Sequence, residues 1–102
     1  MSDRPDKSEI MSALTAVEDP ELLMSIVDLG LVYRAEIVND RVEVDYTLTS
    51  PGCPLSEMIE RDIVNNIALI TDLPVQANLV WEPMWSPDYM SDEAKLSLGY
   101  PI

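Results

Sequence analysis

The chain has 102 residues, 47% of them hydrophobic, and its formal net charge is −13, with six Lys and Arg residues and no histidine. This length and apolar content predict a single domain with one core, and the charge argues against binding nucleic acid, anionic membrane surfaces or phosphate groups, which attract clustered Lys and Arg. The absence of histidine excludes Ser-His-Asp and Cys-His catalytic pairs and His-ligated zinc.

The first third of the chain begins with a helical pattern. Apolar residues at helical spacing over about 8–17 predict a helix with Ser8 as its N-cap, and residues 1–7 are expected to be disordered. A short apolar piece follows at 22–27. The sequence Asp28-Leu29-Gly30 then indicates a turn that leads into a strand.

Two strands and a tight turn are predicted next. Residues 31–38 and 42–48 have strand composition and are separated by Asn39-Asp40, which predicts an antiparallel hairpin. Along 42–48 the apolar residues alternate with Glu43, Asp45 and Thr47. This alternation predicts that one face of the strand is buried and the other is exposed to water.

The second half of the chain carries the clearest helical pattern. Apolar residues recur every three or four positions from Leu55 to Ile70, over about 16 positions, and Pro74 ends the pattern. Residues 75–82 predict a third strand, and a proline-rich loop with Trp and Met follows it. Ser91 is then a candidate N-cap for a short helix that stops at Gly99.

The predicted order is therefore helix, strand, strand, helix, strand, helix. It indicates a small two-layer α/β (α+β) domain over residues 1–102, with a mixed three-stranded sheet and helices mainly on one face. A crossover from strand through helix to strand makes the third strand parallel to its neighbour.

Cys53 is the only cysteine, and it lies in Pro51-Gly52-Cys53-Pro54, directly before the predicted long helix. Free N–H groups and the helix dipole at such a position favour a thiolate, so we expect an accessible thiol that can act as a nucleophile or metal ligand. The carboxylate of Glu57, one turn into the helix, would oppose this effect. The alternative is that Cys53 is a small buried hydrophobe.

Other candidate site residues lie near the same junction. Asp28 interrupts an apolar run, and either it caps its own turn or its carboxylate serves Cys53 as a base or ligand. Thr49 is an ordinary strand residue by propensity, but the direction of its strand would place it close to the thiol. The Trp81, Met84 and Trp85 side chains either fill the core or form the wall of a site.

Four stretches in this order resemble the SufT-type iron–sulfur assembly proteins, a group that includes the PaaD-like proteins and the amino-terminal domain of Mrp-type ATPases. They are Asp19-Pro20-Glu21-Leu22, residues 26–33 (IVDLGLVY), Thr47-Leu48-Thr49 with Gly52-Cys53-Pro54, and residues 80–91 (VWEPMWSPDYMS). The resemblance covers roughly residues 8–100. It implies a small α/β domain whose functional cysteine is Cys53, with Asp28 and Thr49 at the family's aspartate and threonine positions.

The resemblance implies an auxiliary factor in iron–sulfur protein maturation, a carrier or adaptor and not an enzyme. A cluster takes about four thiolate ligands and this chain has one, so we expect Cys53 to bind a transient cluster shared with a partner or a second copy. The expected partners are iron–sulfur scaffold, carrier or client proteins, and a homodimer is compatible with this role. The alternative function is a non-catalytic interaction module that uses an acidic surface and the Trp/Met loop.

The sequence also indicates in which cellular compartment we expect the protein. One cysteine excludes an internal disulfide, the first residues do not resemble a secretory leader, and no uncharged run approaches the roughly 18 residues of a membrane-spanning helix. We therefore expect a cytoplasmic protein that binds neither membrane nor nucleic acid.

Overall fold

A computed structural model of the chain describes residues 5–20, 22–49 and 56–99. The elements in these ranges are α1 (Lys7–Thr15), β1 (Glu18–Asp19), β2 (Met24–Ser25), β3 (Val32–Val38), β4 (Arg41–Tyr46), α2 (Ser56–Ala68), β5 (Val75–Leu79), a 3-10 turn (Pro87–Tyr89) and α3 (Asp92–Leu98). The larger sheet has the order β3-β4-β5, with one antiparallel and one parallel pair, which confirms the predicted mixed sheet. No helix in the described ranges is long and apolar enough to cross a membrane.

A capping box fixes the start of α1. The Asp6 carboxylate accepts a hydrogen bond from the Glu9 backbone N–H (2.8 Å), and the Glu9 carboxylate accepts one from the Asp6 N–H (3.2 Å). Because this arrangement satisfies two N–H groups at the helix start, the helix begins at Lys7, and the prediction of Ser8 as N-cap is wrong. Of the residues expected to be disordered, 1–4 lie outside the described residues.

A short two-stranded ribbon, β1 paired with β2, follows α1 and was not predicted. Glu18 pairs with Ser25 and Asp19 with Met24. The turn between them closes through a 2.7 Å hydrogen bond from the Leu23 N–H to the Asp19 carbonyl, with Leu23 at a φ of 56°. Asp19-Pro20-Glu21 indicates a break after the first helix, but a leucine rarely adopts this left-handed conformation, so the sequence does not indicate the ribbon.

The predicted hairpin is confirmed. Strands β3 and β4 pair antiparallel from Val38 opposite Arg41 to Val32 opposite Tyr46, with an irregularity in the register near Val32. Asn39 and Asp40 have φ angles of 51° and 64°. Positive φ at both central residues belongs to the type I′ turn, whose twist matches that of the flanking strands.

The outer face of β4 is not exposed to water as the alternation predicts. Glu43 is 8% exposed, and Thr47, the residue directly after β4, is 1% exposed. The Arg34 guanidinium donates hydrogen bonds to Glu43 (2.7 Å) and to Asp45 (2.9 and 3.3 Å), and Arg41 donates to Glu43 from the other side (2.7 Å). Ion pairs with Arg34 on β3 and with Arg41 on β4 therefore shield the Glu43 and Asp45 carboxylates from water. The alternation of residues along one strand does not reveal such pairs.

This network predicts acid sensitivity. Hydrogen bonds from Arg34 lower the pKa of Asp45, and those from Arg34 and then Arg41 lower the pKa of Glu43. A carboxyl with a lowered folded-state pKa stabilises the fold above its unfolded-state pKa, and this stabilisation is lost as the pH falls through the folded-state pKa. Urea midpoints measured from pH 7 to pH 2.5 should fall below about pH 4, and the fall should be smaller for Glu43→Gln. Identical pH profiles for the two proteins would contradict this expectation.

Helix α2 and strand β5 complete the crossover. Ile59, Ile63 and Ile67 recur every four residues and are buried, which confirms the predicted apolar face. Within the described residues the helix runs for 13 residues and ends at Ala68, so Ile70 lies beyond it. Strand β5 pairs parallel with β4, as predicted, but it ends at Leu79 instead of residue 82.

The helices α1 and α2 pack on the apolar face of the sheet, where α1 contacts β3 and α2 contacts β5. The third helix has the predicted ends: the Ser91 hydroxyl accepts a hydrogen bond from the Ala94 N–H (3.2 Å), and Gly99 terminates it at a φ of 84°. The Ser91 N–H donates to the Asp28 carbonyl at 2.7 Å. The start of α3 is thereby attached to the turn before β3.

Candidate functional site

The carboxyl ends of β4 and β5 lie at the same edge of the sheet, because the two strands are parallel. Their last pair is Tyr46 with Leu79, and the Val80 N–H donates to the Tyr46 carbonyl at 2.8 Å, which extends the ladder by one residue. The residues that follow β4 are therefore brought beside the residues that follow β5. This edge is where the chain leaves the sheet toward Cys53.

A pocket of about 260 Å³ lies at this edge and is called the Trp/Met pocket here. Its lining residues are Leu48, Thr49, Trp81, Met84 and Trp85. Leu48 is buried and Trp85 packs against the core, whereas Met84 is 82% exposed and Trp81 is 44% exposed. The pocket thus has a floor that is continuous with the core and a rim of exposed apolar side chains.

Trp85 links this pocket to the turn that contains Asp28. Its indole N–H donates a 2.8 Å hydrogen bond to the carbonyl of Leu29, a residue with 0% exposure. A buried carbonyl without a donor is costly, so this bond fixes the turn as well as the ring. The interpretations of Trp85 as a pocket wall and as core filling both hold, because the ring does both.

Asp28 is half-buried, and its carboxylate has no hydrogen-bond partner within residues 5–20, 22–49 and 56–99. It does not cap its own turn: the Ser25 hydroxyl accepts from the Val27 N–H (3.2 Å), and the Gly30 N–H donates to the Val27 carbonyl (3.1 Å). The Asp28 carboxylate is therefore available to another group. Asp28 does not line the Trp/Met pocket, and its connection to it runs through Leu29 and Trp85.

The predicted site residues thus have different outcomes. Thr49 is exposed and lines the Trp/Met pocket, beside the residues that follow β5. Cys53, with its predicted position at the helix start, lies outside the described residues. Thr47, which has the composition of an ordinary strand residue, has a buried hydroxyl oxygen without a partner among the described residues.

A second pocket of about 420 Å³ lies on the other side of the 81–85 loop. Gly30, Val32, Tyr33, Pro83 and Tyr89 line it. The Tyr33 hydroxyl donates to the Pro83 carbonyl at 2.9 Å, and its ring meets that of Tyr89 edge to face at 5.9 Å. Burial, and then the neighbouring Tyr89, raise the pKa of Tyr33, so its hydroxyl remains a donor at neutral pH. All five lining residues lie in two of the stretches that carry the family resemblance, 26–33 and 80–91, but neither stretch indicated that the two meet in a pocket.

Within the part of the chain that the structure describes, no group of three or more Cys, Asp or Glu side chains could hold a metal ion. The described residues alone therefore supply no closed metal site.

Comparison with known proteins places the chain in a family. The family model described as iron-sulfur cluster assembly protein matches residues 7–77. The chain is 43% identical over 98 residues to the Fe-S protein maturation auxiliary factor YitW of Bacillus subtilis, covering 91% of this chain and 93% of the relative. It is 44% identical over 85 residues to the Fe-S protein maturation auxiliary factor SufT of Staphylococcus aureus, covering 81% of this chain and 97% of the relative.

The fold agrees with this placement. A solved structure of a conserved hypothetical protein from Thermotoga maritima superposes with a TM-score of 0.81 at 38% identity, covering 97% of this chain and 99% of the other. The resemblance to SufT-type proteins that was drawn from the sequence motifs is confirmed. The chain belongs to the iron–sulfur cluster assembly protein family.

Proposed function

We propose that this protein is an auxiliary factor in iron–sulfur protein maturation that acts as a carrier or adaptor through Cys53. The observation that carries the proposal is the match, over nearly the full length of both chains, to a relative named as a maturation auxiliary factor. The iron–sulfur cluster is then the cargo, and the protein delivers it or helps to deliver it to a client.

The position of Cys53 along the chain supports this role. Cys53 follows Thr49 by four residues and precedes Ser56, the first described residue of α2, by three. Four residues span at most about 14 Å even when fully extended. We therefore expect Cys53 to act near the end of the sheet where Thr49 lines the Trp/Met pocket.

The number of ligands defines how Cys53 would act. Iron in these clusters is held by cysteine thiolates, usually four, and one chain provides one. Cys53 would therefore bind one iron while a scaffold, carrier, client or second copy supplies the remaining ligands. Delivery is then a ligand exchange without redox change: a client thiolate forms a bond to iron as the bond to Cys53 breaks, and the proton released by the client thiol is taken up by the departing Cys53 sulfur.

Asp28 and Thr49 are proposed to assist this exchange. The Asp28 carboxylate, which has no hydrogen-bond partner among the described residues, would relay the proton from the client thiol to the departing Cys53 sulfur or bind iron through oxygen. Thr49 is exposed at the pocket edge and offers a hydroxyl donor to a thiolate or a cluster sulfur.

Cys53→Ser should slow maturation strongly while leaving the fold intact. An apo dehydratase that requires a [4Fe–4S] cluster is incubated anaerobically with iron, sulfide and either protein, and recovery of its activity is measured. We expect recovery at least about tenfold slower with Cys53→Ser, because a hydroxyl is a much poorer iron ligand than a thiolate. Ser97→Ala, an exposed change on α3, is the matched control and should behave as the parent. Equal recovery with Cys53→Ser and the parent would sink the proposal.

The exposed Trp81 and Met84 side chains favour a second candidate, an interaction module in which Cys53 is only packed. The two candidates differ in the reactivity of the thiol. Mass spectrometry of the folded protein after brief exposure to iodoacetamide near pH 7 measures this directly. Rapid alkylation of Cys53 supports the carrier, and protection until the protein is unfolded supports the interaction module.

A further inference from the structure

The rim of the Trp/Met pocket has the composition of a protein-binding surface. Met84 exposes 82% of its surface and Trp81 exposes 44%, and both lie beside a pocket whose floor is apolar. Trp and Met are enriched in protein interfaces, where burying them contributes much of the binding energy. The pocket volume of about 260 Å³ suits one or two aliphatic or aromatic side chains.

The loop that carries Met84 is held in place on both sides. The carbonyl of Pro83, the residue before it, accepts the 2.9 Å hydrogen bond from Tyr33, and the indole of Trp85, the residue after it, donates the 2.8 Å bond to Leu29. A rim that is already fixed loses little conformational entropy when a partner binds. The residues on either side of Met84 are thus held in place at the rim of the pocket.

The charge around the pocket selects the partner. The lining residues come from segments 42–60 and 62–94, and neither segment contains a Lys or Arg. These segments contain ten acidic residues, of which Glu43 and Asp45 are paired with Arg34; the other eight are Glu57, Glu60, Asp62, Asp72, Glu82, Asp88, Asp92 and Glu93. Glu82, directly next to Trp81, is exposed. With an exposed Glu82 beside Trp81 and a formal net charge of −13 on the chain, the surface around the pocket attracts basic groups.

A second copy of the chain does not offer such basic groups. Its six Lys and Arg residues are Arg4, Lys7, Arg34, Arg41, Arg61 and Lys95, each separated from the next by two or more residues. Arg34 and Arg41 are already paired with Glu43. The complementary surface must come from a different protein.

We propose that the Trp/Met pocket docks a basic segment of a partner protein. This segment inserts an aliphatic or aromatic side chain between Trp81 and Met84, and its flanking Lys or Arg residues lie near Glu82 and the other carboxylates of this surface. A Lys or Arg next to the anchor would stack on the exposed face of Trp81. The inference rests on the proposed function only for the class of partner, an iron–sulfur scaffold, carrier or client. The chemistry of docking does not require the thiol.

Selection from a displayed library of random peptides, about twelve residues long, tests the chemistry of docking directly. The parent protein should enrich peptides in which an aliphatic or aromatic residue is flanked by two or more Lys or Arg. Their affinity, measured by fluorescence anisotropy, should fall as salt is raised from about 50 to 300 mM. Met84→Ser and Trp81→Ser should each weaken binding at least about tenfold.

Leu69→Ser is the matched control, because Leu69 has the same 82% exposure as Met84 but does not line this pocket. It should bind the selected peptides as the parent does. The inference would be overturned if no peptide is enriched, or if the selected peptides carry no excess of Lys and Arg. It would also be overturned if the peptides bind Met84→Ser and Leu69→Ser with equal affinity. A dimer of the parent that Met84→Ser dissociates in analytical ultracentrifugation would also overturn it, since a second copy would then be the occupant.

Cys53→Ser separates this inference from the proposed function. It should retain peptide binding in full while failing in the maturation assay. Loss of maturation in Cys53→Ser together with unchanged peptide binding by Met84→Ser leaves the carrier role standing and removes the docking surface. Unimpaired maturation in Cys53→Ser together with weakened peptide binding by Met84→Ser removes the carrier role of Cys53 and leaves the docking surface standing.

Discussion

Gly30→Ala is expected to lower the free energy of unfolding by about 2–5 kcal/mol. Gly30 adopts a φ of 74°, a conformation that costs an L-residue about 1–2 kcal/mol. A methyl group here would also overlap the carbonyl oxygen of Tyr89 and lie 2.6 Å from its Cβ. Because backbone atoms fill this space, rotation of a side chain cannot relieve the overlap.

Gly99→Ala separates the two contributions. Gly99 has a φ of 84°, yet no atom of the described residues lies within 4 Å of the added methyl group. Urea denaturation followed by circular dichroism should therefore give a loss of only about 1–2 kcal/mol for Gly99→Ala. Equal losses in the two variants would show that the close approach of Tyr89 to Gly30 does not contribute.

The close contact at Gly30 also has a consequence for the site. Tyr89 lines the second pocket with Gly30, and Ser91, two residues later, donates to the Asp28 carbonyl. A shift of Tyr89 therefore disturbs the attachment of α3 to the Asp28 turn. We expect Gly30→Ala to lower maturation activity beyond what Gly99→Ala does, even where both proteins remain folded.

The elements that could be predicted from the sequence are those that local patterns determine. Asn39-Asp40 between two alternating segments specifies its hairpin, because those residues tolerate the positive φ that the turn requires. The repeated isoleucines of α2 and the Ser91 and Gly99 ends of α3 are local in the same sense. The parallel β5 follows from the handedness and length of the crossover.

The remainder depends on contacts between distant residues. The outer face of β4 is covered because Arg34, on the neighbouring strand, reaches Glu43 and Asp45. The β1–β2 ribbon closes through Leu23 in the left-handed conformation, with its N–H bonded to the Asp19 carbonyl. Neither feature has a signature within a window of a few residues.

The candidate site also combines features that local sequence patterns predict with features that depend on contacts between distant residues. The strand direction led us to expect Thr49 close to the thiol of Cys53, and the structure places Thr49 at the edge of the Trp/Met pocket. The contact of Trp85 with Leu29 joins residues 56 positions apart, and the contact of Tyr33 with Pro83 joins residues 50 positions apart. From the sequence we expected Trp85 either to fill the core or to form the wall of a site. The structure shows that its indole N–H also donates a hydrogen bond to the Leu29 carbonyl. The role of Cys53 stays a prediction.

Trp85→Ala should cost about 2–4 kcal/mol of unfolding free energy, because it removes a partly buried indole and leaves the Leu29 carbonyl without its donor. Trp85→Phe retains most of the packing and loses the N–H, so its cost should be about 1–3 kcal/mol, the penalty of one buried, unpaired carbonyl. Both values can be measured by urea denaturation followed by circular dichroism.

Trp81→Phe provides the comparison, since Trp81 is 44% exposed and its truncation removes little buried surface; its cost should be below about 0.5 kcal/mol. If Trp85→Phe proves as stable as Trp81→Phe, the hydrogen bond to Leu29 does not hold the turn. If it is less stable, as we expect, maturation assays on folded Trp85→Phe protein test whether the position of the Asp28 turn matters to function. Activity equal to that of the parent would assign the indole N–H to stability alone.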